Sequence, residues 1–359
     1  MDQYLDTAGS GQIIKRLSLC FCAVFIILCC LPPAAAGPIK YTESFYDAFD
    51  TVITLIGYTE DPSVFDGAFE SVRSLYLRYH RVFDNYHEYE GVYNLYYLNA
   101  HAAEGYTPVE PELMELLVWM KEKQDIAMGR VNIAMGSVLS VWHRYREEGV
   151  RLPPTDILEE AAKHTGFENV ILDLENGTVF FSDPLLQLDL GAVGKGYATE
   201  IAARYLDSSE MPSYIINAGG NVRCGASPLD GRQRWGVGIS DPSDPNVYMD
   251  IIYTKEMSVV TSGDYQRFYT VDGKNYHHII DPDTLFPSAF MHGVTVVCPD
   301  SGLADLLSTA FFNMPYADGR RLAESLEGVE VYWVLTDGTV EMTDGMAAML
   351  SSQGASGRD

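Results

Sequence analysis

The chain has 359 residues, 47% of them hydrophobic and 21% charged, a composition that builds a packed core and excludes disorder along its length. Its 24 Lys and Arg stand against 50 Asp and Glu, a formal charge of −26; such a surface repels phosphate backbones and excludes a nucleic-acid-binding role. The length fits one large domain or two modest ones.

At the N-terminus, Lys15 and Arg16 precede an apolar run from Leu17 to Leu31, then Pro32-Pro33-Ala34-Ala35-Ala36-Gly37. A basic stretch, about fifteen apolar residues and an A-x-A-like end make a secretory signal. The run is short of the ~20 residues a spanning helix needs. Residues 1–37 are therefore expected to be a signal peptide or an N-terminal membrane anchor, with Cys29 or Cys30 offering a lipidation alternative. Each reading exports the folded body, which would start at Pro38. Four of the six cysteines (Cys20, Cys22, Cys29, Cys30) lie in this segment. Cys224 and Cys298 remain, either as one disulfide or as two unpaired buried thiols, with no metal-ligand spacing.

Along the body, apolar residues Phe65, Ala68, Phe69, Val72, Leu75 and Tyr76 keep helical spacing over 64–79. Pro111 opens a second helix with Leu113, Leu116, Leu117 and Met120, closed by Gly129. Residues 137–148 read as a third, and Thr155 caps a fourth that stops at Gly166. Strands at 170–174 and 178–181 flank Asn176-Gly177, a hairpin signal. A strand at 185–188 leads through a glycine-rich turn into a helix ending at Leu206. Further strands are expected at 214–217, 235–239, 248–253, 268–271 and 293–298, a helix at 303–312, and a closing hairpin of 329–335 and 339–342 over Asp337-Gly338. Helices dominate the first half and sheet the second, an α+β architecture. The body is expected to end near Met349, with residues 350–359 a frayed, flexible tail.

Four elements carry chemistry. Asp189-Leu190-Gly191-Ala192-Val193-Gly194-Lys195-Gly196 opens a helix, where backbone N–H groups and the helix dipole attract phosphate and Lys195 adds a full charge. The spacing is neither a P-loop nor G-x-G-x-x-G, and it reads equally as a tight connection. Asn217-Ala218-Gly219-Gly220-Asn221 is a second glycine loop, or an ordinary strand-ending turn. Asp305 and Thr309 lie at i and i+4, on one helix face. Their hard oxygens suit Mg²⁺, although a solvated Asp–Thr pair has the same spacing. Ser308 is a competing hydroxyl that points about 100° away. Tyr276-His277-His278-Ile279-Ile280-Asp281-Pro282 offers acid–base groups, or a polar strand end entering a turn. Upstream, residues 261–265 read as a polar loop.

In their order, residues 189–198, Asn217-Ala218-Gly219-Gly220, Trp235-Gly236-Val237-Gly238-Ile239 with Asp241-Pro242, residues 261–265, His278 to Pro282, and Ala304-Asp305-Leu306-Leu307-Ser308-Thr309 resemble the ApbE family of FAD:protein FMN transferases. The likeness spans about residues 49–315. It implies an ApbE-like, T-fold-related body over residues 38–349. It implies Asp305, Thr309 and the backbone carbonyl of Ala192 as Mg²⁺ ligands, and Asp189 and Lys195 as FAD contacts. Phe49 stands where the family's early Met-Gly-Thr strand has methionine. Tyr86, in Phe83-Asp84-Asn85-Tyr86, resembles an aromatic flavin-binding position, and Ile279 is expected among the cofactor-binding residues. Arg130-Val131-Asn132 matches a FAD-binding segment that usually ends in Asp; here Asn132 removes that carboxylate and Ser137 replaces a proline. His278 matches the catalytic histidine, with His277 the lesser candidate.

The resemblance implies that an acceptor threonine hydroxyl attacks the FMN-side phosphorus of FAD and AMP leaves, with Mg²⁺ required. Acceptors would be flavoproteins of extracytoplasmic electron-transfer complexes, or FMN-binding domains. Two alternatives stand beside it: an FAD pyrophosphatase using water, and a non-catalytic flavin-binding protein.

Overall fold

The computed structural model describes residues 37–358 apart from Gln266; the signal or anchor expected over residues 1–37 lies outside the described residues but for Gly37. From Lys40 onward the chain forms one unit, and no described helix is long and apolar enough to cross a membrane.

The body opens with strands β1 (Ile39–Ala48) and β2 (Thr51–Thr59). Phe49 and Asp50 between them have φ of 54° and 50°, the left-handed pair that a two-residue hairpin between twisted strands requires. Phe49 thus lies in a turn, not a strand. Helix α1 (Pro62–Phe83) follows, started by Asp61, whose carboxylate accepts from the Ser63 amide. Next come α2 (Leu95–His101), β3 (Thr107–Pro108), α3 (Pro111–Lys123), α4 (Gly136–Glu148) and α5 (Thr155–Ala162). Pro154 rather than Thr155 occupies the cap of α5, and the helix ends at Ala162, short of Gly166. β4 (Val170–Asp173) and β5 (Thr178–Phe181) form the expected hairpin.

The second half runs α6 (Gly194–Asp207), β6 (Tyr214–Ala218), β7 (Asn221–Cys224), β8 (Trp235–Asp241), β9 (Asp244–Thr254), β10 (Ser258–Gly263), β11 (Phe268–Val271), β12 (Lys274–His277) and β13 (Met291–Cys298). It closes with α7 (Ser301–Phe312), α8 (Tyr316–Ser325), β14 (Glu330–Leu335), β15 (Val340–Met342) and α9 (Asp344–Ala347). Eight strands make one sheet in the order β1-β2-β6-β7-β10-β13-β14-β15. The α+β architecture is as expected, with the β1–β2 hairpin joining the sheet from ahead of the helices.

Each face of this sheet buries its own core. On one side Ile216, Ala218, Val260, Val294 and Val296 pack with residues of α1, α6 and α7. On the other, Ile215, Val222, Val259 and Val297 pack under the β8–β9 ribbon. Alternation along each strand produces this division. It also separates Cys224 from Cys298, which belong to opposite cores; both are free thiols, pushed up to about 12 by burial. A third cluster joins Val138, Trp142 and Tyr145 of α4 to Ile280, Tyr269 and Tyr276, seating the β11–β12 hairpin.

Three expectations fail for identifiable reasons. Residues 185–188 form no strand, because the Asn99 side chain takes both the amide and the carbonyl of Leu188. Residues 261–263 extend β10 instead of looping, since Thr261 and Ser262 pair with Thr295 and Val294. The tail does not fray: Leu350 is fully buried, and the Gln233 and Arg234 amides donate to the Gly357 carbonyl.

Candidate active site

Two helices cross at the glycine-rich turn, and their crossing organises the site. The Gly196 amide of α6 donates to Asp305 Oδ2 of α7 at 2.8 Å. A Cβ at Gly196 would lie 2.4 Å from Asp305 Cβ and 2.5 Å from the Ser301 carbonyl, so only glycine permits this approach. Gly196 lies in the first turn of α6, whose amides have no partner within the helix, and the Asp305 carboxylate supplies one. The Ala192 carbonyl lies just ahead of the helix, and among the described residues no backbone amide is bonded to it. One turn along, Glu200 of α6 fastens the start of α7: its Oε2 accepts from the Ser301 amide at 3.0 Å. Arg204 donates to Glu200 Oε1, and Arg223 lies 3.7 Å away. Gly196→Ala is expected to force the helices apart and destabilise the protein by about 1–3 kcal/mol, the usual range for overpacking, read as a lowered Tm.

Asp305 is 7% exposed. Burial raises its pKa, while Lys195, the Gly196 amide and Asn221 pull it back. Thr309 follows one turn later on the same face, and no hydrogen bond engages its hydroxyl among the described residues. The rival hydroxyl of Ser308 is committed, bonded to Ser262 and to the Asp305 carbonyl. The turn, Asp305 and Thr309 thus present a carbonyl, a carboxylate and a hydroxyl in one place. No described group of three or more His, Cys, Asp or Glu could hold a metal, so a cation here would rest on hard oxygens. That donor set fits Mg²⁺, which takes few protein ligands and keeps several waters. One buried polar side chain there, Asn221, has no partner for its amide oxygen.

Positive charge converges on the same place. Lys195 is half-buried; burial lowers its pKa, with Asp305 opposing and Arg267 adding to the effect. Arg267 and Arg146 both act on Tyr86 and on His278. Neither arginine is ion-paired to a carboxylate among the described residues. In a chain with 26 more acidic than basic residues, two arginines without a carboxylate partner near Lys195, Tyr86 and His278 favour an anion.

Tyr86 and its neighbours are held by a buried acid. Asp84 Oδ1 accepts from the amides of Tyr86 and His87, and its Oδ2 from Tyr89 Oη. This turn points Asn85 at Asp189, with Nδ2 donating to Oδ2 at 3.0 Å. Asp189 Oδ1 also accepts from the Gly191 amide, which shapes the glycine turn. Tyr86 is 53% exposed and lies against His143, ring centroids 4.8 Å apart.

The two histidines separate cleanly. His277 Nε2 donates to the Ser288 carbonyl and its Nδ1 accepts from the Ile279 amide, so both nitrogens serve the main chain. His278 Nδ1 faces the Arg267 carbonyl at 3.2 Å. A carbonyl only accepts, so Nδ1 carries the proton and Nε2 keeps its lone pair. Burial, with Arg267, His277 and Arg146 nearby, lowers the His278 pKa to about 4.

Other candidates sit differently from expectation. Phe49 packs its ring on Tyr76 and His80 and borders the main core. Arg130 is bound to Asp283, with Asp281 at 3.8 Å, so its side chain is already committed. Val131 and Asn132 line a cavity of about 220 Å³ with Met120, Gln124 and Phe167. Asn132 donates to the Thr165 carbonyl and accepts from the Ala134 amide. An ionised Asp could not make the first of these bonds, which accounts for Asn here. Ile279 buries its side chain in the main core. Sequence reading missed Arg146, Arg267 and Glu200, which no motif marks, and quoted Asn221 without a role.

Known proteins share this fold. The model of the ApbE family matches residues 49–333. The FAD:protein FMN transferase of Treponema pallidum is 32% identical over 269 residues, 69% of this chain and 72% of that one. The one from Rhodobacter capsulatus is 30% identical over 260 residues, 71% of this chain and 49% of that one. The crystal structure of the ApbE protein from Thermotoga maritima superposes with a TM-score of 0.77 at 28% identity, over 87% of this chain and 99% of that one. A flavin transferase ApbE from Vibrio cholerae shares the fold with a TM-score of 0.71 at 22% identity, over 85% of this chain and 97% of that one.

Proposed function

The chain belongs to the ApbE family, and on that premise we propose that it transfers FMN from FAD to a threonine hydroxyl of acceptor flavoproteins, releasing AMP, with Mg²⁺ required. The observation that carries this reading is the crossing of α6 and α7. It gathers Lys195, Asp305, Thr309 and the unbonded Ala192 carbonyl, and Arg267 lies near both Lys195 and His278.

In the proposed reaction the FAD diphosphate lies among Lys195, Arg267 and Arg146, with Tyr86 on the flavin side. The acceptor oxygen forms a bond to the FMN-side phosphorus as the bond from that phosphorus to the AMP oxygen breaks. His278 Nε2 takes the hydroxyl proton, and its Nδ1–H stays on the Arg267 carbonyl. Ala192, Asp305 and Thr309 would hold Mg²⁺, which neutralises charge on the diphosphate when bound. The lysine and arginines stabilise the charge that AMP carries away.

The state of His278 sets the pH dependence. Its pKa of about 4 keeps it neutral, and a base, at all pH values well above 4. At saturating Mg²⁺, kcat/KM is expected to stay level from neutral pH to about 5 and to fall towards 4. An acid limb near 6.5, the ordinary histidine value, would count against His278 as the base.

The body is proposed to work outside the cytoplasm, exported or tethered by residues 1–37, on acceptors of extracytoplasmic electron-transfer complexes or on FMN-binding domains. The leader's basic and apolar pattern supports this. Quantifying AMP with and without an acceptor domain tests the reaction type: transfer releases AMP only as flavin appears on the acceptor. AMP and free FMN formed at the same rate without acceptor would establish the pyrophosphatase instead.

A further inference from the structure

We propose that Asn221 belongs to the cation site, its carboxamide oxygen serving the hydration shell of the divalent ion and its amide nitrogen serving Asp305; this rests on the Mg²⁺ reading above. Asn221 is fully buried; its amide nitrogen reaches the Asp305 carboxylate, yet its Oδ1 has no hydrogen-bond partner. An unpaired buried amide is costly, and folded proteins avoid it unless a group completes it.

The surroundings say which group. Asn221 begins β7 and lies opposite Ala218 of β6 and Val260 of β10. Both neighbours belong to the core that includes α6 and α7, whereas Val222 belongs to the other. Its side chain therefore faces the helix crossing, where it helps lower the pKa of Asp305.

The residue has no freedom to turn elsewhere. Gly219 and Gly220, just before it, have φ of 55° and 95°. A Cβ at Gly219 would stand 2.0 Å from Thr51 Oγ1, so the turn is pressed onto β2. The Gly220 amide donates to Asn217 Oδ1, and the Thr261 amide to the Gly220 carbonyl. The carboxamide is thus held rigidly beside Asp305 with its oxygen unpartnered. An uncharged oxygen there suits a hydrated divalent cation that already has one carboxylate.

The test compares the full chain with Asn221→Leu and Asn221→Asp, titrating Mn²⁺ by electron paramagnetic resonance and melting each protein without metal. Asn221→Leu is expected to weaken Mn²⁺ binding about 10–100-fold, the usual effect of losing an outer partner of a metal. Its metal-free Tm should stay within a few degrees of the parent's, because removal of the unpaired buried oxygen offsets the lost bond to Asp305. Asn221→Asp, which keeps an oxygen in place, should hold Mn²⁺ within a few-fold of the parent. Unchanged affinity in Asn221→Leu would overturn the proposal. So would a metal-free Tm well below the parent's, which would make Asn221 a structural amide. A parent chain that binds no Mn²⁺, with or without FAD, would instead remove the metal reading on which the proposal stands.

Discussion

Asp305→Ala is expected to cut Mg²⁺-dependent turnover by about 10³-fold, corresponding to several kcal/mol of lost charge stabilisation, while the protein stays folded. The structure gives two reasons for so large an effect. The substitution deletes the buried carboxylate, and it removes the acceptor that ties the Gly196 amide of α6 to α7. The fold loses that one hydrogen bond, and electrostatics offset the loss. Burial raises the Asp305 pKa, so the folded state binds more protons than the unfolded one between the two values. Stability then falls as pH rises through that window, and at neutral pH the ionised group weakens the fold. A metal-free melt of Asp305→Ala should lie at or above the parent's. Turnover at parental rates, measured against Mg²⁺ concentration, would discredit the metal assignment.

His278→Asn is expected to lower kcat by about 10²–10⁴-fold, the usual worth of a positioned base, with FAD affinity nearly unchanged. Asparagine can still donate to the Arg267 carbonyl, so the β12 end should keep its place. What disappears is the Nε2 lone pair. A His277→Asn variant should behave differently: it loses bonds to Ser288 and Ile279, lowering Tm more than kcat. Single-turnover rates and FAD titrations of both variants check this, and parental transfer by His278→Asn would remove His278 from the mechanism.

How much of this was legible in the sequence depends on where the information lies. The long helices were plain, because α1 and α7 repeat apolar residues at i, i+3 and i+4. The Asn176-Gly177 hairpin was plain for the same local reason. β7 and β10 were missed because they are short inner strands with little alternation, which only the assembled sheet explains. The strand expected at residues 185–188 was lost to a distant side chain, Asn99, that no local pattern announces. In the site, Asp305, Thr309 and Lys195 stood out through spacing and order. The bond from the Gly196 amide to Asp305, which joins the glycine turn to α7, exists only in three dimensions. Arg267 and Arg146 have ordinary neighbours in the sequence, and only folding brings both to Tyr86 and His278.

The most direct test of flavin transfer is to incubate the chain with FAD, Mg²⁺ and an acceptor domain that a known transferase modifies, then denature the acceptor and look for flavin fluorescence on its band. The account predicts a fluorescent acceptor, dark when EDTA is present and dark with an acceptor Thr→Ala variant. An acceptor that stays dark while FAD remains intact, or while AMP and free FMN accumulate, would contradict it.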